Sequence, residues 1–189
     1  MVLAAIAWSC TFHVQADTHR FAAQAVAARN NQGQTFAVID KAAATVSLYD
    51  ASGKLLAASP VLLGQAKGDA SVPGIGDRPM QEIAAHERTT PAGRFTSEPG
   101  KNLNGESVVW IDYDAAVSMH RLRPSSPHEK RPERMATATP SDNRITYGCV
   151  NVPAEFYDRW VLPSLGKTAG VVYVLPETQP AKNVFSFLR

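Results

Sequence analysis

Cysteine is nearly absent from this sequence: only Cys10 and Cys149 occur in 189 residues. That excludes a disulfide-stapled scaffold and any CxxC metal or redox motif. Long apolar runs are missing too. No stretch approaches the roughly 20 residues that a membrane-spanning helix needs, so no transmembrane anchor is expected. Nor is there an excess of one charge, since 19 Lys+Arg against 17 Asp+Glu leave a net +2. A balance that small and scattered argues against a nucleic-acid partner. Internal repeats and low-complexity tracts are absent as well. His86-Glu87 and His128-Glu129 lack the second His of a zinc-protease helix, and Pro73-Gly74-Ile75-Gly76-Asp77 is an incomplete dinucleotide loop. Gly166-Lys167-Thr168 has Val161 where a phosphate-binding loop requires Gly. No metal and no cofactor is expected.

What is present is a globular balance, with 44% hydrophobic and 19% charged residues, in a length suited to one domain. Residues 1–16 (MVLAAIAWSCTFHVQA) carry no charged side chain and end in Val14-Gln15-Ala16, the small-x-small pattern of a signal-peptidase site. They predict export, with a mature start at Asp17 and a periplasmic or extracellular location. Residues 17–34 have helical spacing at Phe21, Ala25 and Ala28, then break at Asn30-Asn31-Gln32-Gly33, which predicts a short helix and a linker. Residues 35–176 form the expected main domain, and 177–189 a C-terminal tail.

From Thr35 the texture turns to β, with a meander over TFAVID, ATVSLYD and KLLAASPVLLG. In the second run Val46 and Leu48 alternate with Thr45, Ser47 and Tyr49, the pattern of a half-buried antiparallel strand. Residues 64–105 are rich in Gly and Pro and predict long loops with short strand pieces. Strand character returns in SVVWIDYD at 107–114. A polar excursion at 121–144 holds six Lys/Arg and three Asp/Glu. ITYGCVNV, a helix opened by Pro153, and AGVVYVLPE complete the pattern.

Cleavage of the leader would leave Cys149 as the sole thiol in an oxidising compartment. Its setting, Thr146-Tyr147-Gly148-Cys149-Val150-Asn151, places it between a strand and the start of a helix, where unsatisfied N–H groups and the helix dipole favour a thiolate. Gly148 lets a substrate carbonyl approach the backbone, and its amide with that of Cys149 is a candidate oxyanion hole. A thiol nucleophile needs a proton acceptor, and histidine suits that task near pH 7. His120 ends a predicted strand, where a scaffold can hold it; His19, His86 and His128 are the other mature-chain histidines.

In this order the residues resemble the L,D-transpeptidase (YkuD-type) catalytic domain, whose signature is a His, a gap, and Ser/Thr-His-Gly-Cys-x-Asn or Cys-x-Arg. Thr90-Pro91-Ala92-Gly93-Arg94-Phe95 resembles the family's Thr-Pro-x-Gly-x-Phe/Tyr motif, and residues 36–64 its opening meander. The resemblance covers about residues 35–176. It implies a mainly β (α+β), β-sandwich-like domain with a helix after the catalytic Cys. It further implies that Cys149 attacks the amide between the third residue and the terminal D-Ala of a peptidoglycan stem tetrapeptide, with His120 as general base. Transfer of the acyl group to an amine of a neighbouring stem gives a 3–3 cross-link, transfer to water gives carboxypeptidase or amidase action, and a lysine of a wall-anchored lipoprotein is a third acceptor. Gly148, Tyr147 and Asn151 would line the site. Two features depart from the family: Tyr147 stands where a second His is usual, and 29 positions separate His120 from Cys149, a longer gap than usual. The extra residues fall in the excursion, whose net +3 makes Arg131, Arg134 and Arg144 candidates for binding stem carboxylates. The alternative from another functional class is an inactive peptidoglycan-binding module.

Overall fold

Alternating apolar side chains fold the start of the domain into a hairpin, β1 (Phe36–Asp40) and β2 (Thr45–Tyr49), with β3 (Leu55–Pro60) continuing the meander. The structure, a computed structural model, describes residues 17–123 and 126–188; the expected leader lies outside them. After a two-residue strand β4 (Leu63–Gly64) come β5 (Gly93–Lys101), β6 (Ser107–Asp112), β7 (Val117–Arg121), β8 (Arg144–Thr146), β9 (Val150–Val152) and β10 (Gly170–Leu175). Eight of these form one sheet in the order β3-β2-β1-β10-β5-β6-β7-β9, and β4 pairs with β8 beside it. The expectation of a mainly β domain holds.

The sheet has two halves joined by β5, which pairs with β10 through Gly93–Ser97 and then with β6 through Glu98–Lys101. This nine-residue strand lies in the stretch expected to be loops. Its glycines and Pro99 obscure the strand pattern, and Gly100 is there because the Trp110 ring lies against it: a Cβ at Gly100 would come within 2.5 Å of that indole. The curved sheet nearly closes on itself, since Leu62, just past one edge strand, exchanges two backbone hydrogen bonds of 2.9 Å with Asn151 on the other. Inside lie Ile39, Val46, Leu48, Val109, Ile111, Met119, Val150, Val152, Val172 and Val174.

A helix does follow Cys149. It begins as α3 (Ala154–Phe156), widens into a π-turn (Tyr157–Val161) and ends as α4 (Leu162–Leu165), placing Tyr157, Val161 and Leu165 in the interior. Pro163 accounts for the wide turn, because it has no N–H to donate and its ring would clash with the carbonyl four residues back.

β2 is buried on both faces, not half-buried as its alternation suggests. The outer face of β1, β2 and β10 is covered by a helix at 17–27, α1, and by the segment around Phe185. Phe21 of α1 packs edge-on to Tyr173, Phe185 and Phe187, with ring centroids 4.9–5.4 Å apart. Edge-to-face pairs of this kind add to the burial itself.

The turn after β1 carries a fully buried cation. Lys41 donates to Asp69 Oδ1 (2.8 Å), to the Thr90 carbonyl (2.9 Å) and to the Gly68 carbonyl, with Glu177 at 3.7 Å. Arg144 pairs with Glu177 and donates to the Lys41 carbonyl. Burial alone would raise the Asp69 pKa, but hydrogen bonds from Lys41, Thr178 and the amides of Glu177 and Thr178 outweigh it and hold the carboxyl far below its usual range.

Two outcomes test this arrangement. Phe21→Ala should cost about 3–5 kcal/mol in urea denaturation, because the ring leaves a hole in the outer layer. Asp69 has a depressed folded pKa, so its stabilisation is complete above its ordinary value of 3.8 and lost as pH falls below it. Urea midpoints measured at pH 5 and pH 3 should therefore diverge less in Asp69→Asn than in the native protein.

Candidate active site

Parallel pairing of β7 with β9 sets Met119 against Val150, His120 against Asn151 and Arg121 against Val152. Residues two apart on a strand share a face, so Ser118 and His120 lie beside Cys149 and Asn151 on the face opposite the interior Met119 and Val150. Of the two residues expected to carry the chemistry, His120 thus lies on β7, and Cys149 immediately precedes the neighbouring strand β9.

Cys149 is half-buried. Its Sγ is 3.7 Å from Ser118 Oγ and 3.7 Å from the Ala116 carbonyl. The expected helix N-terminus is not at this thiol, because β9 intervenes and α3 begins only at Ala154. Cys149 instead ends a tight turn between β8 and β9. Thr146 Oγ1 donates to the Cys149 carbonyl (2.6 Å) and accepts the Gly148 N–H (3.2 Å), so one amide of the expected oxyanion pair is already engaged. Gly148 has φ +132°, and a Cβ there would come within 2.9 Å of the Thr89 carbonyl oxygen. Only glycine fits this position.

Thr90 holds the turn from below. Its hydroxyl donates to the Gly148 carbonyl (2.8 Å) and accepts the Gly64 N–H (2.9 Å), fully buried. Thr90 opens the Thr-Pro-x-Gly motif and was legible as a match, but its contact with the nucleophile turn, 58 residues away, was not. Ser118 carried no sequence signal.

His120 donates or accepts at both ring nitrogens: Nδ1 is 2.8 Å from the Arg121 carbonyl, and Nε2 is 3.1 Å from Asn151 Nδ2. A carbonyl only accepts, so Nδ1 carries the proton and Nε2 the lone pair. Burial lowers the His120 pKa, and the charges of Arg123 and Arg131 add to that, against the raising effect of the Arg121 carbonyl and Glu106. The imidazole is therefore neutral near pH 7, the state a general base requires.

The remaining candidates divide. Asn151 is buried at the centre of the site, with its Oδ1 accepting from Arg131 Nη1 at 3.0 Å. Arg131 opens the short helix α2 (Arg131–Ala136) of the excursion and also pairs with Glu129 (2.7 Å). Arg134 donates to the Glu129 and Asp142 carbonyls and so braces the excursion itself. Arg144 is held by Glu177 and the Lys41 carbonyl. Tyr147 lies under the Arg88 guanidinium, 3.8 Å from the ring centroid, and Arg88 is tied to the Ile83 carbonyl. His128 is exposed in a single 3-10 turn, Pro127–Glu129. Among the described residues no cluster of His, Cys, Asp or Glu is suited to a metal ion.

No family model and no curated protein matches this chain. Solved structures resemble it at low identity. An L,D-transpeptidase bound to imipenem is 16% identical over 75% of this chain and 58% of its own, with TM-score 0.46. The catalytic domain of the Enterococcus faecium L,D-transpeptidase is 19% identical over 76% of this chain and 98% of its own, with TM-score 0.43. The helical cell shape determining protein Pgp2 of Campylobacter jejuni is 13% identical over 77% of this chain and 49% of its own, with TM-score 0.49. The chain thus spans little more than half the length of the imipenem-bound protein and about half that of Pgp2.

Proposed function

We propose that this chain is a cysteine acyltransferase of the cell wall, an L,D-transpeptidase acting on peptidoglycan stem tetrapeptides outside the cytoplasm. The observation that carries the reading is a neutral His120 on β7 and a Cys149 that immediately precedes the paired strand β9 and touches Ser118 of β7, in the residue order that resembles the family.

The chemistry follows from these groups. His120 takes the thiol proton as Cys149 Sγ attacks the carbonyl of the stem's third residue, and returns it to the departing D-Ala nitrogen as the C–N bond breaks. An acyl-enzyme thioester remains. A second amine then attacks the thioester, His120 removes its proton, and the thiol is released with a new amide bond. Water in place of the amine gives net hydrolysis. Ser118, within reach of Sγ, and the turn braced by Thr90 fix the nucleophile's position, and such preorganisation is what converts a reactive side chain into a catalyst.

Incubation of the mature protein with purified muropeptides, followed by mass analysis, separates cross-linked dimers, D-Ala release and no reaction; the last would refute the assignment. Cys149→Ala should abolish turnover with the fold intact, whereas a tenth of the activity surviving would remove Cys149 as nucleophile. A carbapenem should add its mass to the native protein and not to Cys149→Ala. For the base, single-turnover acylation should fall roughly 10²–10⁴-fold in His120→Ala and less than about tenfold in His128→Ala. A larger loss at His128 would assign the base to the excursion.

A further inference from the structure

The His120 lone pair is already occupied. With Nδ1–H donated to the Arg121 carbonyl, Nε2 is the one nitrogen able to take a proton, and the Asn151 amide donates to it at 3.1 Å. An sp² ring nitrogen has a single lone pair, so Nε2 cannot accept the Asn151 hydrogen and the Cys149 proton together. The direction of the Asn151 amide is set from its other end. Arg131 is a donor with no acceptor, and its Nη1 lies 3.0 Å from Asn151 Oδ1. The oxygen must therefore face Arg131, and the NH₂ must face His120. Were the amide reversed, Oδ1 would accept from a protonated Nε2 and stabilise the imidazolium, the state His120 enters on taking the thiol proton.

We propose that Arg131 is a latch on the catalytic base: by claiming Asn151 Oδ1 it turns the Asn151 N–H onto His120 Nε2 and keeps the ring from accepting a proton until Arg131 moves away. Arg131 is a positioning residue, acting through Asn151, and the inference rests on His120 being the base of the proposed reaction. It gives the inserted segment a role different from carboxylate capture alone. The connection spans three parts of the chain, since Arg131 lies on α2, Asn151 on β9 and His120 on β7. Movement of Arg131, to a carboxylate or into water, frees the amide to reverse. Glu129 accepts from Arg131 Nε at 2.7 Å and so holds the guanidinium while its Nη1 reaches Asn151.

Charge must be separated from hydrogen bonding in any test, because Arg131 also repels the imidazolium. The charged groups facing His120 are Arg123 and Arg131 from the excursion and Glu106 at the foot of β6; Arg121 on its own strand is paired with Asp158, and Arg123 with Glu106. Both arginines act on the ring by charge, but only Arg131 also hydrogen-bonds Asn151. If charge alone acted, removing either would raise the His120 pKa by a similar amount. The latch makes the effect of removing Arg131 the larger.

The experiment is a pH titration of the His120 ring by long-range ¹H–¹⁵N NMR in the native protein, Arg123→Met and Arg131→Met, without substrate. Arg131→Met is expected to raise the pKa by about one unit, a tenfold change in protonation, and by more than Arg123→Met does. An equal or smaller rise in Arg131→Met overturns the latch. The native spectrum is a second check that needs no variant: above the pKa it must show Nδ1 protonated and Nε2 bare, and a proton on Nε2 overturns the proposal. Because the readout is the ring itself, a failure here is distinct from a failure of muropeptide turnover.

Discussion

Two backbone hydrogen bonds between Leu62 and Asn151 join the opposite edges of the sheet, and the geometry of the site depends on that closure. Without it β9 would be an open edge strand with unpaired N–H and C=O groups, and the register that sets His120 beside Asn151 would have support from one side only. Asn151 serves both requirements at once. Its backbone closes the sheet and its side chain stands between Arg131 and the imidazole, so sheet closure places the amide where it can meet both.

The nucleophile turn is held in a similar way from the other side. Lys41 fixes the Thr90 carbonyl, and Thr90 fixes the Gly148 carbonyl one residue before the thiol. A buried cation is costly unless its hydrogen bonds are satisfied, and here two carbonyls and a carboxylate satisfy it. The ion cluster around Lys41 therefore acts at a distance on the geometry of Cys149, and Arg144, expected at the substrate, belongs to that cluster.

Local patterns were readable in the sequence, and long-range pairings were not. Alternation located β1 and β2 because their side chains meet a core of uniform character. The same alternation understated their burial, since nothing within 36–49 says that α1 and Phe185 will cover the outer face. Pro153 announced the helix after Cys149, yet three intervening strand residues removed the helix dipole from the thiol. His120 and Cys149 were singled out by their order and by the residues around Cys149, in spite of the long gap between them. The Arg131–Asn151–His120 chain was not, because it links residues whose proximity exists only once β7 and β9 have paired.

The strand order also bears on how the molecule comes into being. β10 sits between β1 and β5, so the two halves of the sheet cannot join until every strand from β1 to β10 is free to pair. Contacts so distant along the chain make for slow folding. The half of the sheet that carries His120 and Asn151 therefore gains the support of β1 and β2 only once β10 has been inserted between β1 and β5.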